Sequence, residues 1–226
     1  MKQVYEFLGK LYKHNNREWF NAHKEEYLRA KATFDGFVQE LISEVYKFDK
    51  NINPDILSVK DCTYRIYRDI RFSSDKSPYK THMGAYLVKG GKKSPYAGYY
   101  FHIEPFTDEY ADGCMLCAGA YMPDNKQIAS VREEIMVNGE SFLKAINKAK
   151  GFALFEDNSL KRTPLGYESV TDEKLKNLLR LKAYLVIKDI TPEYLFKPDL
   201  ARRVAQEFKK CCEFNYLLNR CIDYIL

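Results

Sequence analysis

The stretch RIYRDIRFSSDKSPYKTH, residues 65–82, decides how the rest of the chain is read. Its eighteen positions hold three arginines, two lysines, two aspartates, two tyrosines and one histidine, well above the 30% charged content of the whole chain. The β-branched and aromatic residues from Asp61 to Phe72 predict a strand, in which side chains alternate between two faces. Ile66, Arg68, Ile70 and Phe72 then share the core face, and Arg65, Tyr67, Asp69 and Arg71 share the other. An arginine pointing with an apolar set needs a carboxylate, because an unpaired buried charge costs several kcal/mol or more. Arg68 is therefore expected to be a paired organiser.

Downstream, residues 73–78 read as a loop and Thr81 to Lys89 as a second strand. A Gly90-Gly91 turn leads to a third strand, Tyr96 to Glu104, so residues 81–104 are expected to form an antiparallel hairpin. Tyr99, Phe101 and Ile103 should face the core, with Tyr100, His102 and Glu104 on the other side. A fourth strand is expected from Cys114 to Tyr121 and a short one from Ala183 to Ile187.

The flanks have helical periodicity. Val4, Phe7, Leu8 and Leu11 mark a first amphipathic helix that stops at His14-Asn15-Asn16. Asn15 followed by Glu18 resembles a capping box and predicts a second helix, whose apolar face runs from Phe20 through His23, Tyr27, Phe34 and Leu41 to Phe48. Further helices are expected over residues 126–137 and 140–150, split at Asn138-Gly139, over residues 172–181 and 192–196, and from Asp199 to about Ile225. The predicted class is α+β in a single domain over residues 1–226: an antiparallel sheet of about four to five strands, with helices mainly on one face and helical segments at both ends.

Composition narrows the function. An excess of five basic residues permits an anionic partner without the lopsided charge of dedicated nucleic-acid binders. No window is apolar for eighteen residues and the N-terminus lacks a secretory h-region, so a soluble cytoplasmic protein without a membrane partner is expected. In that compartment the six cysteines should be reduced thiols. No P-loop, G-x-S-x-G elbow or G-x-G-x-x-G fingerprint occurs.

The pattern Arg65-x-x-Arg68-Asp69-x-Arg71-Phe72, followed by Asp75-Lys76 and Tyr79, resembles the hallmark of the bacterial family called domain of unknown function 2461 (DUF2461), also found within larger fungal proteins. The residues around Asn15 to Phe20 and the Pro164-x-Gly166-Tyr167 loop are similar to the family pattern as well. This resemblance implies a domain spanning the chain with residues 65–82 as its signature. It implies no activity.

The residues themselves support several readings. Arg65, Arg68, Arg71, Lys76, Tyr79 and Lys80 carry the donors suited to an anionic, phosphate-bearing ligand. Asp69, His82, His102 and Glu104 have the parts of an acid-base centre if the hairpin register is regular. The competing reading is architectural: Asp69, Asp75 or Glu104 neutralises the arginines internally, and the domain is a structural or protein-interaction module. Nucleic-acid binding through Lys89, Lys92, Lys93 and the arginine segment is a third reading. Cys114-x-x-Cys117 lacks a second ligand pair and the histidines lack metal-site spacing, so no metal is expected. Cofactor and oligomeric state are left open.

Overall fold

The computed structural model describes residues 1–105, 113–157 and 159–226. Helices α1 (Lys2–Lys13), α2 (Arg17–Ala22), α3 (Lys24–Tyr46) and α4 (Val59–Cys62) precede strands β1 (Met83–Leu87), β2 (Gly98–Ile103) and β3 (Met115–Ala120). Then come α5 (Asn125–Lys148), β4 (Ala153–Leu154), α6 (Glu173–Arg180), β5 (Tyr184–Asp189), α7 (Pro192–Phe196), α8 (Leu200–Lys209) and α9 (Cys212–Asp223). The strands form an open antiparallel sheet in the order β1-β2-β3-β5-β4, and the class is α+β. The chain gathers into two compact units. The first comprises Met1–Lys92, Tyr100–Leu116 and Asp189–Ala205; the second comprises Lys93–Tyr99, Cys117–Lys188 and Gln206–Leu226.

In the first unit, Val4, Phe7, Leu8 and Leu11 of α1 are fully buried, as their spacing predicts. The long second helix expected from Asn15 is instead two helices, because the backbone leaves helical geometry at His23 (φ −111°, ψ 21°). The cap is also displaced by one residue: Asn16 Oδ1 accepts from the Trp19 amide at 2.9 Å. Asn15 is engaged elsewhere. Its Nδ2 donates to the Tyr79 carbonyl at 2.9 Å, and the Tyr79 amide donates to its Oδ1 at 3.1 Å. A side chain closing a ring with a distant peptide cannot also cap its own helix.

The strand expected over residues 61–72 does not form. Ser58 and Asp61 make a capping box that draws Asp61 and Cys62 into α4. Beyond it only two isolated bridges occur, Thr63 with Ala85 and Tyr67 with Tyr79. They stand four residues apart on one side and six on the other, so the register slips and the ladder cannot propagate. Alternation nevertheless survives locally: Ile66 is buried and Arg68 half-buried, while Arg65, Tyr67 and Asp69 are exposed. It ends at Phe72, expected to face the core but 96% exposed. Around Tyr67 the chain pairs back on itself, with the Lys80 amide donating to Ile66 O at 2.8 Å and the Arg68 amide to Pro78 O at 3.0 Å.

Strands β1, β2 and β3 lie within their expected ranges. Phe101 and Ile103 of β2 are fully buried, and Phe101 packs 4.6 Å from Phe37 and 6.2 Å from Phe34 between ring centroids.

In the second unit, Asp124 and Gln127 cap α5 reciprocally. The break expected at Asn138-Gly139 is a kink inside α5, where Asn138 has φ −128° and ψ 30°. Gly139 lets Leu175 pack close there: a Cβ would fall 2.6 Å from Leu175 Cδ2, and that side chain would have to shift. The two-residue β4 pairs Ala153 with Ile187 and Leu154 with Val186, too short to leave a periodic signal. The C-terminal helix expected from Asp199 to Ile225 is interrupted between Lys209 and Cys212, giving α8 and α9.

Asn15→Ala removes two hydrogen bonds and leaves a shielded peptide group unsatisfied, so chemical denaturation should show a loss of about 2–3 kcal/mol. Asn16→Ala removes only a cap and should cost about 1 kcal/mol. Equal losses would contradict the different roles of the two neighbours.

Candidate functional site

His82 lies just before β1, His102 lies on β2, and Glu104 follows β2 by one residue. The imidazole centroids are 4.7 Å apart. Residue alternation on β2 puts Tyr100, His102 and Glu104 on one side, opposite the buried Phe101 and Ile103. The Glu104 carboxylate is held at both oxygens: Thr81 Oγ1 donates to Oε1 at 2.7 Å, and His102 Nε2 stands 3.2 Å from Oε2. His82 Nδ1 is 4.0 Å from Glu104 Oε1. At its other nitrogen, His102 shares a 2.9 Å hydrogen bond with the Tyr100 hydroxyl. Tyr100 occupies space that only glycine leaves, because a Cβ on Gly84 would meet its hydroxyl at 2.4 Å.

The electrostatics follow from partial burial. Desolvation and the neighbouring His102, with Lys80 and Arg68 adding to them and Glu104 opposing, bring the His82 pKa down to about 4. Burial works to raise Glu104, but hydrogen bonds from His102 and Thr81 and the two nearby imidazoles outweigh it and hold the carboxyl below its usual range. Lys80 is pushed down by desolvation and by repulsion from Arg65. At neutral pH the centre thus holds a neutral His82 beside an ionised Glu104, with cationic groups along one side.

The remainder of the signature segment is arranged differently. Arg71 grips Asp69 with both Nε (2.9 Å) and Nη2 (2.7 Å), in the open. Arg68, expected to be paired, is bound by Asp75, and its Nη2 is 3.4 Å from Ser73 Oγ. Asp75 also accepts from the Ser77 amide and hydroxyl at 2.9 and 2.7 Å. Lys76 donates to the Ile70 carbonyl at 3.1 Å. Tyr79 is 4% exposed and stacks on Phe20 at 3.9 Å, so it is a packing residue with its ring turned from solvent. Asp69, Arg71, Lys76 and Tyr79 make no hydrogen bond or ion pair with the imidazole pair. Arg65 and Lys80 form no ion pair with a carboxylate among the described residues, although Arg65 acts on Asp69 at longer range. Lys80 Nζ lies 5.4 Å from the centroid of Tyr64.

Thr81 and Gly84 are the contributors that sequence reasoning missed. Nothing in their local pattern marks them, since each acts on a side chain from the next strand. The Tyr100-x-His102-x-Glu104 alternation was legible. His82, His102 and Glu104 are also a set of donors whose ligand atoms all lie within 4.8 Å of one another. The Cys114-x-x-Cys117 pair adds none: Cys114 Sγ donates to the Glu104 carbonyl at 3.2 Å, and burial pushes its thiol up to about 11.

An α+β fold with a histidine and carboxylate centre beside a basic signature segment is the class that fold and site define. The chain belongs to the DUF2461 family of conserved hypothetical proteins, whose sequence profile matches residues 3–216. No curated protein and no solved structure matches it. No helix among the described residues is long and apolar enough to cross a membrane.

The low His82 pKa has a sign in stability. Between the unfolded value of 6.5 and the folded value of about 4, the unfolded chain binds more protons. Stability should therefore fall as pH drops through that window, by at most about 1.4 kcal/mol per pH unit for one proton. Denaturation across this range should show the slope, and His82→Gln should flatten it. An unchanged slope would mean that His82 titrates normally in the fold.

Proposed function

We propose that the protein binds a phosphate-bearing small molecule at the end of the signature segment, over the His82, His102 and Glu104 centre. The observation that carries this reading is the pair Arg65 and Lys80: neither forms an ion pair with a carboxylate among the described residues, Lys80 meeting only the Tyr64 ring and Arg65 acting on Asp69 at longer range. Two cations close enough to repel, one of them partly desolvated, raise the energy of the empty site. An anion between them relieves that repulsion and receives charge-assisted hydrogen bonds. Arg68, tied to Asp75, holds the segment in place. His82 and His102 contribute nitrogens that either accept or donate according to tautomer, which suits the protonated oxygens of a phosphate monoester. Proton transfer by His82, His102 or Glu104 to a bound substrate is the enzymatic extension of this reading.

The architectural reading fits the other half of the segment. Asp69 with Arg71, and Asp75 with Arg68 and Ser77, fold residues 68–77 into a loop in which each carboxylate has its own arginine. The nucleic-acid reading has less support. Phe101 is fully buried, which removes it from any stacking platform, and Lys92 donates to the Lys60 carbonyl. We place the protein in the cytoplasm. The support is chemical: all six cysteines are free and five are buried.

Titration calorimetry with inorganic phosphate, pyrophosphate and sugar phosphates, in EDTA, is the test. Arg65→Ala and Lys80→Ala should each weaken binding about tenfold or more, the usual cost of losing a charged hydrogen bond. Arg71→Ala should leave affinity within about threefold, as expected for an exposed pair outside the site. Binding abolished by Arg71→Ala yet retained in Lys80→Ala would reject the proposed location, and no binding of any phosphate would reject the function.

A further inference from the structure

The geometry points to a divalent transition-metal site formed by His82, His102 and Glu104. Two imidazoles and one carboxylate are a ligand set used by catalytic zinc and by non-haem iron, with the remaining positions open to water or substrate. Ligands at about 2.0–2.1 Å on a tetrahedral ion stand roughly 3.4 Å apart. His102 Nε2 and Glu104 Oε2, at 3.2 Å, already have that separation. His82 Nδ1 stands 4.0 Å from the other oxygen of the same carboxylate, Oε1. All the donor atoms lie within 4.8 Å of one another.

The surrounding bonds are of the kind that orient metal ligands. A ligating histidine donates its other N–H to an oxygen, which fixes the ring and its tautomer. The Tyr100 hydroxyl, 2.9 Å from His102 Nδ1, is placed to accept that proton once Nε2 turns to the ion. Thr81 Oγ1 fixes Oε1 of Glu104, and Oε2 faces His102 Nε2, the nitrogen that would share the ion with it. Gly84 keeps Tyr100 in position. His102 is buried while His82 and Glu104 are half-buried, so the set has a closed side and an accessible one. The sequence shows no metal spacing because the three donors lie at the start of β1 and at the end of β2, and only the pairing of these strands brings them together.

Lys80 and Arg68, which act on His82 electrostatically, disfavour a bare dication. An anionic ligand in the open position offsets them, so the ion and a phosphate should bind with positive coupling, each raising the affinity for the other by the same factor. The bound ion would polarise an oxygen of that ligand. The site itself rests on the three donors and not on the anion reading, and the measurements keep the two apart.

Zn²⁺ alone, titrated into the EDTA-stripped protein, should bind with one equivalent and raise the melting temperature. His102→Ala and Glu104→Gln should each weaken binding at least tenfold, and Tyr100→Phe should weaken it less. Replacement of the two remaining histidines, as in His14→Ala and His23→Ala, should leave it unchanged. Co²⁺ added to the wild type gives a readout that needs no variant: an intense visible band of a low-coordinate ion is expected. Absence of one-equivalent binding, a cobalt spectrum equal to that of the aqueous ion, or affinity that survives both His102→Ala and Glu104→Gln would overturn the site. Phosphate binding in EDTA is unaffected by any of these outcomes, so failure here leaves the anion reading to its own test.

Discussion

The signature segment has no continuous strand to hold it, and its position depends on one closed pair of hydrogen bonds. Asn15, in the turn between α1 and α2, binds both polar groups of the Tyr79 peptide. That contact joins positions sixty-four residues apart and presses the Tyr79 ring onto Phe20. Everything from Lys80 to His82 follows directly from it. A backbone pair satisfied by a side chain in this way is as fixed as a rung in a sheet, yet it needs no strand partner on that side. The segment can thus stay irregular, with its cations displayed rather than alternating into a core.

The site inherits two levels of rigidity. His102 sits on a strand whose opposite side is buried aromatic core, so its backbone has little freedom. His82 lies in the short connection between the Tyr79 bridge and β1, anchored at both ends. Glu104, past the end of β2, would have more freedom were it not bound by Thr81 and His102. The centre therefore combines one donor fixed by the sheet, one on a short anchored connection and one fixed by hydrogen bonds to its carboxylate.

What was legible in the sequence reflects the range over which each force acts. The amphipathic spacing of α1 and the alternation of β2 are local, and the expected core residues are buried. The approach of His82 to His102 followed from hairpin parity alone. Residues 61–72 misled because β-propensity reports how well side chains fit a pleated surface and says nothing of whether a partner keeps register. The slip between the Thr63 and Tyr67 bridges is set by distant backbone. In the same way Asn15 read as a cap because its true partner is far along the chain. Tyr79 read as a ligand-facing phenol because its stacking on Phe20 crosses elements.

The only tryptophan of the chain lies between two imidazoles, with ring centroids 5.6 Å from His14 and 4.1 Å from His23. An indole in face contact with two rings reports through its emission how closely they are seated against it. Trp19 also donates its amide to Asn16, the residue beside the Asn15 anchor. Its fluorescence is therefore a built-in optical gauge of the turn that seats the signature segment, readable without any label and independent of whatever the centre binds.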